Sequence, residues 1–311
     1  VDRKTVILVR SPLRITLGGG GTDLPAYARQ FGGFCLTAAI DKFVFVAVTR
    51  PFEPGIYLKY SRLEKVAAVN DVQHPIIREA LRMLHPSPQI EITTLADIPA
   101  GTGLGSSSSF TTALLQALAM HQHERLSPEA LAAMACELEI ETLQQTIGTQ
   151  DQYAAAFGGL LAQTICPDGR VQIERLRADR AHLEDHLLLF FTGYARESAS
   201  ALLGEQATNL ADLESAKAAA QLARAALESA DWSRFAATLS LRRAKPMSAR
   251  IRAWLARGEA IGASGKLVGA GGGGFLLFYA PYPDELRGVM RDAGLAEVRF
   301  RFDNDGTRSC A

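Results

Sequence analysis

Between Pro99 and Ser109 the chain reads Pro99-Ala100-Gly101-Thr102-Gly103-Leu104-Gly105-Ser106-Ser107-Ser108-Ser109, and this stretch restricts the fold more than any other. Glycines at alternate positions permit positive φ and bring the main chain close to a ligand. An apolar helical run then follows, from Ser107 to His121, with Phe110, Leu114, Leu115 and Leu118 on one side. Serine is a natural N-cap, and the first N–H groups of a helix point out of its positive dipole end. Upstream, Ile90, Ile92 and Thr94 alternate with polar residues as a strand does. Strand, glycine turn and helix N-terminus together form a phosphate cradle. A flexible linker would lead into polar sequence, and this one leads into a packed helix. Two commoner nucleotide loops are excluded: no Lys follows Gly105 as a Walker loop requires, and a dinucleotide fingerprint would place an acid at the end of the next strand.

An anion-binding loop in this chain has to work without help from net charge. Lys plus Arg and Asp plus Glu each total 33 in 311 residues, so neither nucleic acid nor an anionic membrane is indicated as a partner. A homo-oligomer stays open. Cys35, Cys136, Cys166 and Cys310 are scattered without a CxxC pair, which reads as buried thiols in a reducing compartment. No apolar stretch is long enough to span a bilayer, and the first residues lack a signal-peptide core. The cytoplasm is the expected location.

Along the chain, Val6–Val9 and Arg14–Leu17 read as two short strands parted by Ser11-Pro12. The second runs into Gly18-Gly19-Gly20-Gly21-Thr22-Asp23-Leu24-Pro25. That run fits either backbone bent toward a ligand with Asp23 at its edge, or a turn in which Asp23 caps a helix. Phe43–Thr49 reads as a buried strand with Ile56–Tyr60 as its hairpin partner, and His74-Pro75 opens a helix. Ser127-Pro128-Glu129 starts another, expected to run to about Gln145 with apolar stripes on two sides. Its acids Glu137, Glu139 and Glu141 are candidates for burial, against the ordinary alternative of a solvated flank. Ile147-Gly148-Thr149-Gln150-Asp151-Gln152 follows, and Leu160–Ile165 with Val171–Leu176 makes a hairpin. A boundary near residue 180 divides the chain into 1–180 and 181–311. Beyond it come the strand Leu187–Thr192, Ala-rich helices over 197–257, and a basic cluster of Arg242, Arg243, Lys245, Arg250 and Arg252. Gly269-Ala270-Gly271-Gly272-Gly273-Gly274 then precedes the apolar strand Phe275–Tyr279. A helix from Pro283 to Ala293 and an alternating strand through Val298, Phe300 and Phe302 complete the chain, whose polar tail after Asp303 is expected to be mobile. The class is α+β.

Three of these segments, in order, resemble the motifs of the GHMP kinases: Pro12-Leu13-Arg14-Ile15 with Gly21-Thr22-Asp23, Gly103-Leu104-Gly105-Ser106-Ser107, and Gly269 to Gly274. Gly148 to Gln152 is similar to the Gly-x-x-Asp-Gln of galactokinases. Gly20 and Gly21 stand where galactokinases carry Glu and His, and the four-glycine form resembles the heptose-7-phosphate kinase branch, which lies near fucokinases. The resemblance implies the two-domain fold of that family, with an N-terminal ATP-binding domain like ribosomal protein S5 domain 2 and a ferredoxin-like C-terminal domain. It implies ATP-dependent phosphorylation at C1 of D-glycero-D-manno-heptose 7-phosphate, feeding GDP-heptose and surface polysaccharide synthesis. Asp151 and Arg14 would be catalytic, and Gly101, Gly103, Leu104, Gly105, Ser106, Ser107 and Ser108 would bind ATP. Ser107 and Glu139 would hold Mg²⁺, with Ser106 as the alternative serine. Asp23, Thr22, Gly20, Gly21, Gly271 and Gly272 would meet the sugar, and Arg196 and Lys245 its 7-phosphate. The rival readings are a kinase of another sugar such as fucose, a phosphomevalonate or homoserine kinase, against which Gly21-Thr22-Asp23 counts, and a non-catalytic sugar sensor of the same fold.

Overall fold

The computed structural model describes residues 6–87, 89–194, 209–241, 247–269 and 273–310. Its spine is β1, Ile7–Gly18, paired antiparallel with the long β2, Gly33–Thr49; the short helix α1, Pro25–Phe31, lies between them in sequence. The two strands expected on either side of Ser11-Pro12 are one strand, with a register shift between Pro12 and Leu13. Proline brings no N–H to a ladder, and a bulge is where a strand accommodates it. The shift also swaps faces. Val9 packs with the helices on one side of the sheet, whereas Leu13, Ile15 and Leu17 pack on the other. Arg14 and Thr16 are thereby turned to the helical side.

β2 serves two neighbours. Its first half pairs with β6, Leu160–Ile165, which pairs in turn with β7, Val171–Arg175, as the sequence leads one to expect. Its second half pairs with β5, Gln89–Ala96. The hairpin expected between residues 43–49 and 56–60 does not form. β3, Gly55–Lys59, runs parallel to β5 and antiparallel to β4, Leu63–Val66, so β5 separates it from β2. The connection Arg50-Pro51-Phe52-Glu53-Pro54, with two prolines, is no two-residue hairpin turn. Helices α2, Pro75–Leu84, α3, Ser106–His121, and α4, Pro128–Cys136, cover the helical face through Ile76, Ile77, Leu114, Leu118 and Leu131. α4 does not continue to residue 145 as expected. It passes into a π-helical turn, Glu137–Thr142, before α5, Gln150–Phe157.

After α6, Arg180–His186, a second, antiparallel sheet has the order β11-β8-β10-β9, from β8, Leu187–Phe191, β9, Ser264–Val268, β10, Phe275–Tyr279, and β11, Ala296–Glu297. Helices α7, Leu210–Glu228, and α8, Trp232–Ser240, lie between the sheets. Their Ala220, Leu227, Phe235 and Leu239 share one core with Leu13 and Leu36 on one side and Leu189 and Phe275 on the other. Helices α9, Ala249–Glu259, and α10, Pro283–Asp292, cover the outer face of the second sheet. The strand expected through Phe302 shrinks to Ala296–Glu297 and a lone bridge from Phe302 to Ile40. Phe300 and Phe302 alternate because they are buried in that shared core, without a ladder partner along their length. The tail is ordered, contrary to expectation. β12, Arg308–Ser309, pairs with the open edge of β1, and Thr307 Oγ1 donates to Ser11 Oγ and to the carbonyl of Ala155. Among the described residues no helix is long and apolar enough to cross a membrane.

Candidate active site

Gly101, Gly103 and Gly105 adopt φ of 77°, 88° and 77°, and Gly105 immediately precedes α3. Leu104, fully buried, pins the loop into the core, and its carbonyl accepts the Arg14 backbone N–H at 3.0 Å. The N–H of Ser109 makes a helical bond back to Gly105, so those of Ser106, Ser107 and Ser108 lie ahead of it at the α3 terminus. The serine hydroxyls divide their duties. Ser109 donates to the carbonyl of Pro12 at 2.7 Å, tying α3 to the β1 bulge, while Ser107 is exposed and donates to Glu139 Oε1 at 2.9 Å.

Two carboxylates meet this loop. Asp151, in the first turn of α5, takes both forks of Arg14, with Nε at 2.7 Å from Oδ1 and Nη2 at 2.6 Å from Oδ2. The third guanidinium nitrogen, Nη1, donates to the carbonyl of Gly103 at 2.7 Å, so one buried arginine joins carboxylate, strand and loop. A side chain at Gly105 would stand 3.2 Å from Arg14 Cγ and 3.3 Å from Asp151 Oδ2, which is why the loop arrives there without one. Glu139 is held differently. The π-turn carries it inward until it is fully buried, between Ser107 and the Gln152 amide, which donates to Oε2 at 2.7 Å. Burial raises its pKa, opposed by hydrogen bonds from Ser108, Ser107, Gln152 and Thr111.

The first glycine loop sits behind Asp151. Asp23 is buried and accepts from the N–H of Gly21 at 3.0 Å and of Gln150 at 3.1 Å, capping α5 from outside the helix. Burial raises its pKa, and the nearby Asp151 charge raises it further. Thr22 is fully buried, its hydroxyl donating to the carbonyls of Gly19 and Phe34. Gly20 lies near the Gln150 amide and Thr16. The third loop touches the second backbone to backbone: a Cβ on Gly269 would meet Gly103 Cα at 2.7 Å. Gly271, Gly272, Arg196 and Lys245 lie outside the described residues.

Sequence reasoning assigned no role to Gln150, Gln152, Thr16 or Lys266. Gln150 and Gln152 flank Asp151 at a helix start, yet only the fold shows that one reaches Asp23 and the other Glu139. Thr16 Oγ1 donates to Gln150 Oε1 at 3.0 Å, from the face of β1 that also carries Arg14.

Residues 71–159 match the family described as GHMP kinases N terminal domain. The chain is 28% identical to the D-glycero-alpha-D-manno-heptose 7-phosphate kinase of Campylobacter jejuni, covering 97% of this chain and 98% of that one. It shares its fold with the crystal structure of a D-glycero-D-manno-heptose 1-phosphate kinase from Bacteroides thetaiotaomicron, with a TM-score of 0.81, 24% identity and coverage of 98% and 99%. Lactococcus lactis galactokinase shares it too, with a TM-score of 0.77 at 15% identity, covering 99% of this chain and 96% of that chain. The three glycine loops that converge here thus occur in a chain that carries a GHMP kinases N-terminal domain over residues 71–159 and shares the two-domain fold of these kinases over almost its whole length.

Proposed function

We propose that this kinase transfers the γ-phosphoryl group of ATP to the anomeric hydroxyl of D-glycero-D-manno-heptose 7-phosphate. The observation that carries the reading is the Arg14–Asp151 pair, fixed at 2.6 and 2.7 Å against Gly105 at the mouth of the phosphate cradle. The similarity, over almost the full length of both chains, to a heptose 7-phosphate kinase supports this choice of substrate. Phosphoryl transfer asks a protein for position and charge compensation more than for covalent work. The N–H groups of Ser106, Ser107 and Ser108, with the turns at Gly101, Gly103 and Gly105, hold the triphosphate at the α3 dipole. Asp151 accepts the proton of the attacking hydroxyl. Arg14 keeps that carboxylate aimed, and its charge lies beside the transferring group. Gly20 and Gly21 wall the sugar, while Asp23 and Thr22, expected from the resemblance to meet it, are buried and bonded within the protein and so fix that loop from behind.

Glu139 and Ser107 offer oxygen donors only, one of them a carboxylate, as a Mg²⁺ site completed by water and nucleotide phosphates requires. Bound there, Mg²⁺ would neutralise phosphate charge. Gly271, Gly272, Arg196 and Lys245, outside the described residues, serve as acceptor contacts in this reading on the resemblance alone.

ADP release measured with heptose 7-phosphate, free heptose, fucose, galactose and mannose tests the proposal, with phosphorus NMR locating the new ester. Heptose 7-phosphate should give a kcat/KM at least about 100-fold above any other sugar, with the phosphate at C1. Preference for fucose, or no ATP turnover with any sugar, would overturn it.

A further inference from the structure

A cavity of about 40 Å³ opens beside the end of β1. Thr16 and Gly18 to Gly20 form one wall, Ala216 and Ala219 of α7 another, and Thr238, Lys266 and Gly269 close it. By that measure it has room for about three waters, a space on the scale of a phosphate ester's oxygens. Among the described residues its walls are mostly glycine, alanine and hydroxyl residues, and Lys266 is the one ionisable side chain. The ammonium does not trail into solvent: Nζ donates at 2.6 Å to the carbonyl of Leu17, the residue before the four glycines.

The cavity's position relates it to the reacting end. Thr16 lies two residues beyond Arg14 on the same strand, about 7 Å further along. Its hydroxyl holds Gln150, the neighbour of Asp151. At the opposite corner Gly269 packs on Gly103 of the phosphate loop. Gly20 lines the cavity and also lies beside the Gln150 amide, so the glycine run at the end of β1 stands between the cavity and the neighbour of Asp151, and an acceptor with its reacting hydroxyl at Asp151 would reach the cavity around this end of the strand. There it meets a cation in small-residue surroundings.

We propose that this cavity is the subsite for an acceptor's distal phosphate ester and that Lys266 pairs with it. The inference rests on the reading of the acceptor as a sugar phosphate. It gives a described residue the task for which the sequence offered Arg196 and Lys245.

Steady-state kinetics of the full chain and of Lys266→Met, Lys266→Arg and Ala219→Leu, with heptose 7-phosphate and with unphosphorylated heptose, test it. Lys266→Met should raise KM for heptose 7-phosphate about 10- to 100-fold. That rise should exceed the rise for heptose at least tenfold and leave KM for ATP within about twofold, and Lys266→Arg should recover most of the loss. Ala219→Leu, which fills the cavity from the opposite wall, should impair heptose 7-phosphate in the same selective way. Inorganic phosphate should compete with heptose 7-phosphate in the unaltered protein and lose that effect in Lys266→Met. Equal losses for both acceptors, a matching loss for ATP, or phosphate competition unchanged by Lys266→Met would each overturn the subsite while leaving the kinase reading intact. A wild-type protein that prefers unphosphorylated sugar would overturn both.

Discussion

Asp151 and Glu139 both touch the start of α3, and they are held by opposite means. Asp151 keeps part of its surface open and is clamped by a full positive charge, with side-chain exposure of 23% against 8% for Arg14. Glu139 is sealed in and is held by neutral hydroxyls and an amide, none of which cancels its charge. A carboxylate that must meet a substrate hydroxyl needs aim and access. One that must attract a cation needs its negative charge left uncompensated, and burial among neutral donors provides that at a cost in desolvation. The difference teaches that the charge of the partner, more than the number of hydrogen bonds, separates the two proposed roles.

Asp151→Asn gives the largest expected break in this comparison. It keeps the shape, removes the proton acceptor, and should lower kcat about 100- to 10,000-fold. It also leaves the buried Arg14 without its anion and should lower stability by about 1–3 kcal/mol in chemical denaturation. Retained turnover would show that the carboxylate orients the acceptor without taking its proton.

A smaller, opposite pattern is expected from Glu139. Glu139→Gln should raise the Mg²⁺ concentration for half-maximal rate at least about tenfold, and Gln152→Leu, which releases Oε2, should have a weaker effect of the same sign. Because Glu139→Gln removes a buried charge, the metal-free protein should melt no lower than wild type. A large loss of stability in Glu139→Gln would erase the distinction drawn between the two acids.

The smallest effect is in the pH dependence of stability. The folded pKa of Glu139 is raised by burial above its ordinary value of 4.5, so the folded chain holds a proton that the unfolded chain has already released. Stability from this group is therefore complete below pH 4.5 and declines as pH rises through the raised value. In chelator, the melting temperature of wild type relative to Glu139→Gln should fall over that window, and Mg²⁺ with nucleotide should reverse the trend. A flat difference would mean that the neutral donors fully compensate burial.

Much of the site's inventory was legible beforehand because its signals are local. Positive-φ glycines before an apolar helix, Ser127-Pro128 and His74-Pro75 at helix starts, and Pro167-Asp168-Gly169 within the β6–β7 hairpin each act through neighbouring residues alone. The misread elements depend on distant partners. β3 joins β5 in parallel across a gap in sequence, and the tail's order comes from the edge of β1, to which residues 307–310 carry no local pointer. The π-turn is likewise silent in sequence, since its extra residue is favoured by what Glu139 meets inside the fold.

By itself the sequence determined that main chain rich in glycine would turn with positive φ into a helix N-terminus, and which acids were candidates to stand near it, because backbone freedom and capping are properties of short segments. Only the tertiary structure decided which acid faces which partner. The bulge at Pro12 turns Arg14 toward α5, the π-turn drives Glu139 inward to Ser107, and packing of α7 against β1 and of α8 against β9 leaves the cavity beside Lys266. A one-residue shift of register reverses every side chain beyond it, and such a shift is settled by the neighbours a strand finds.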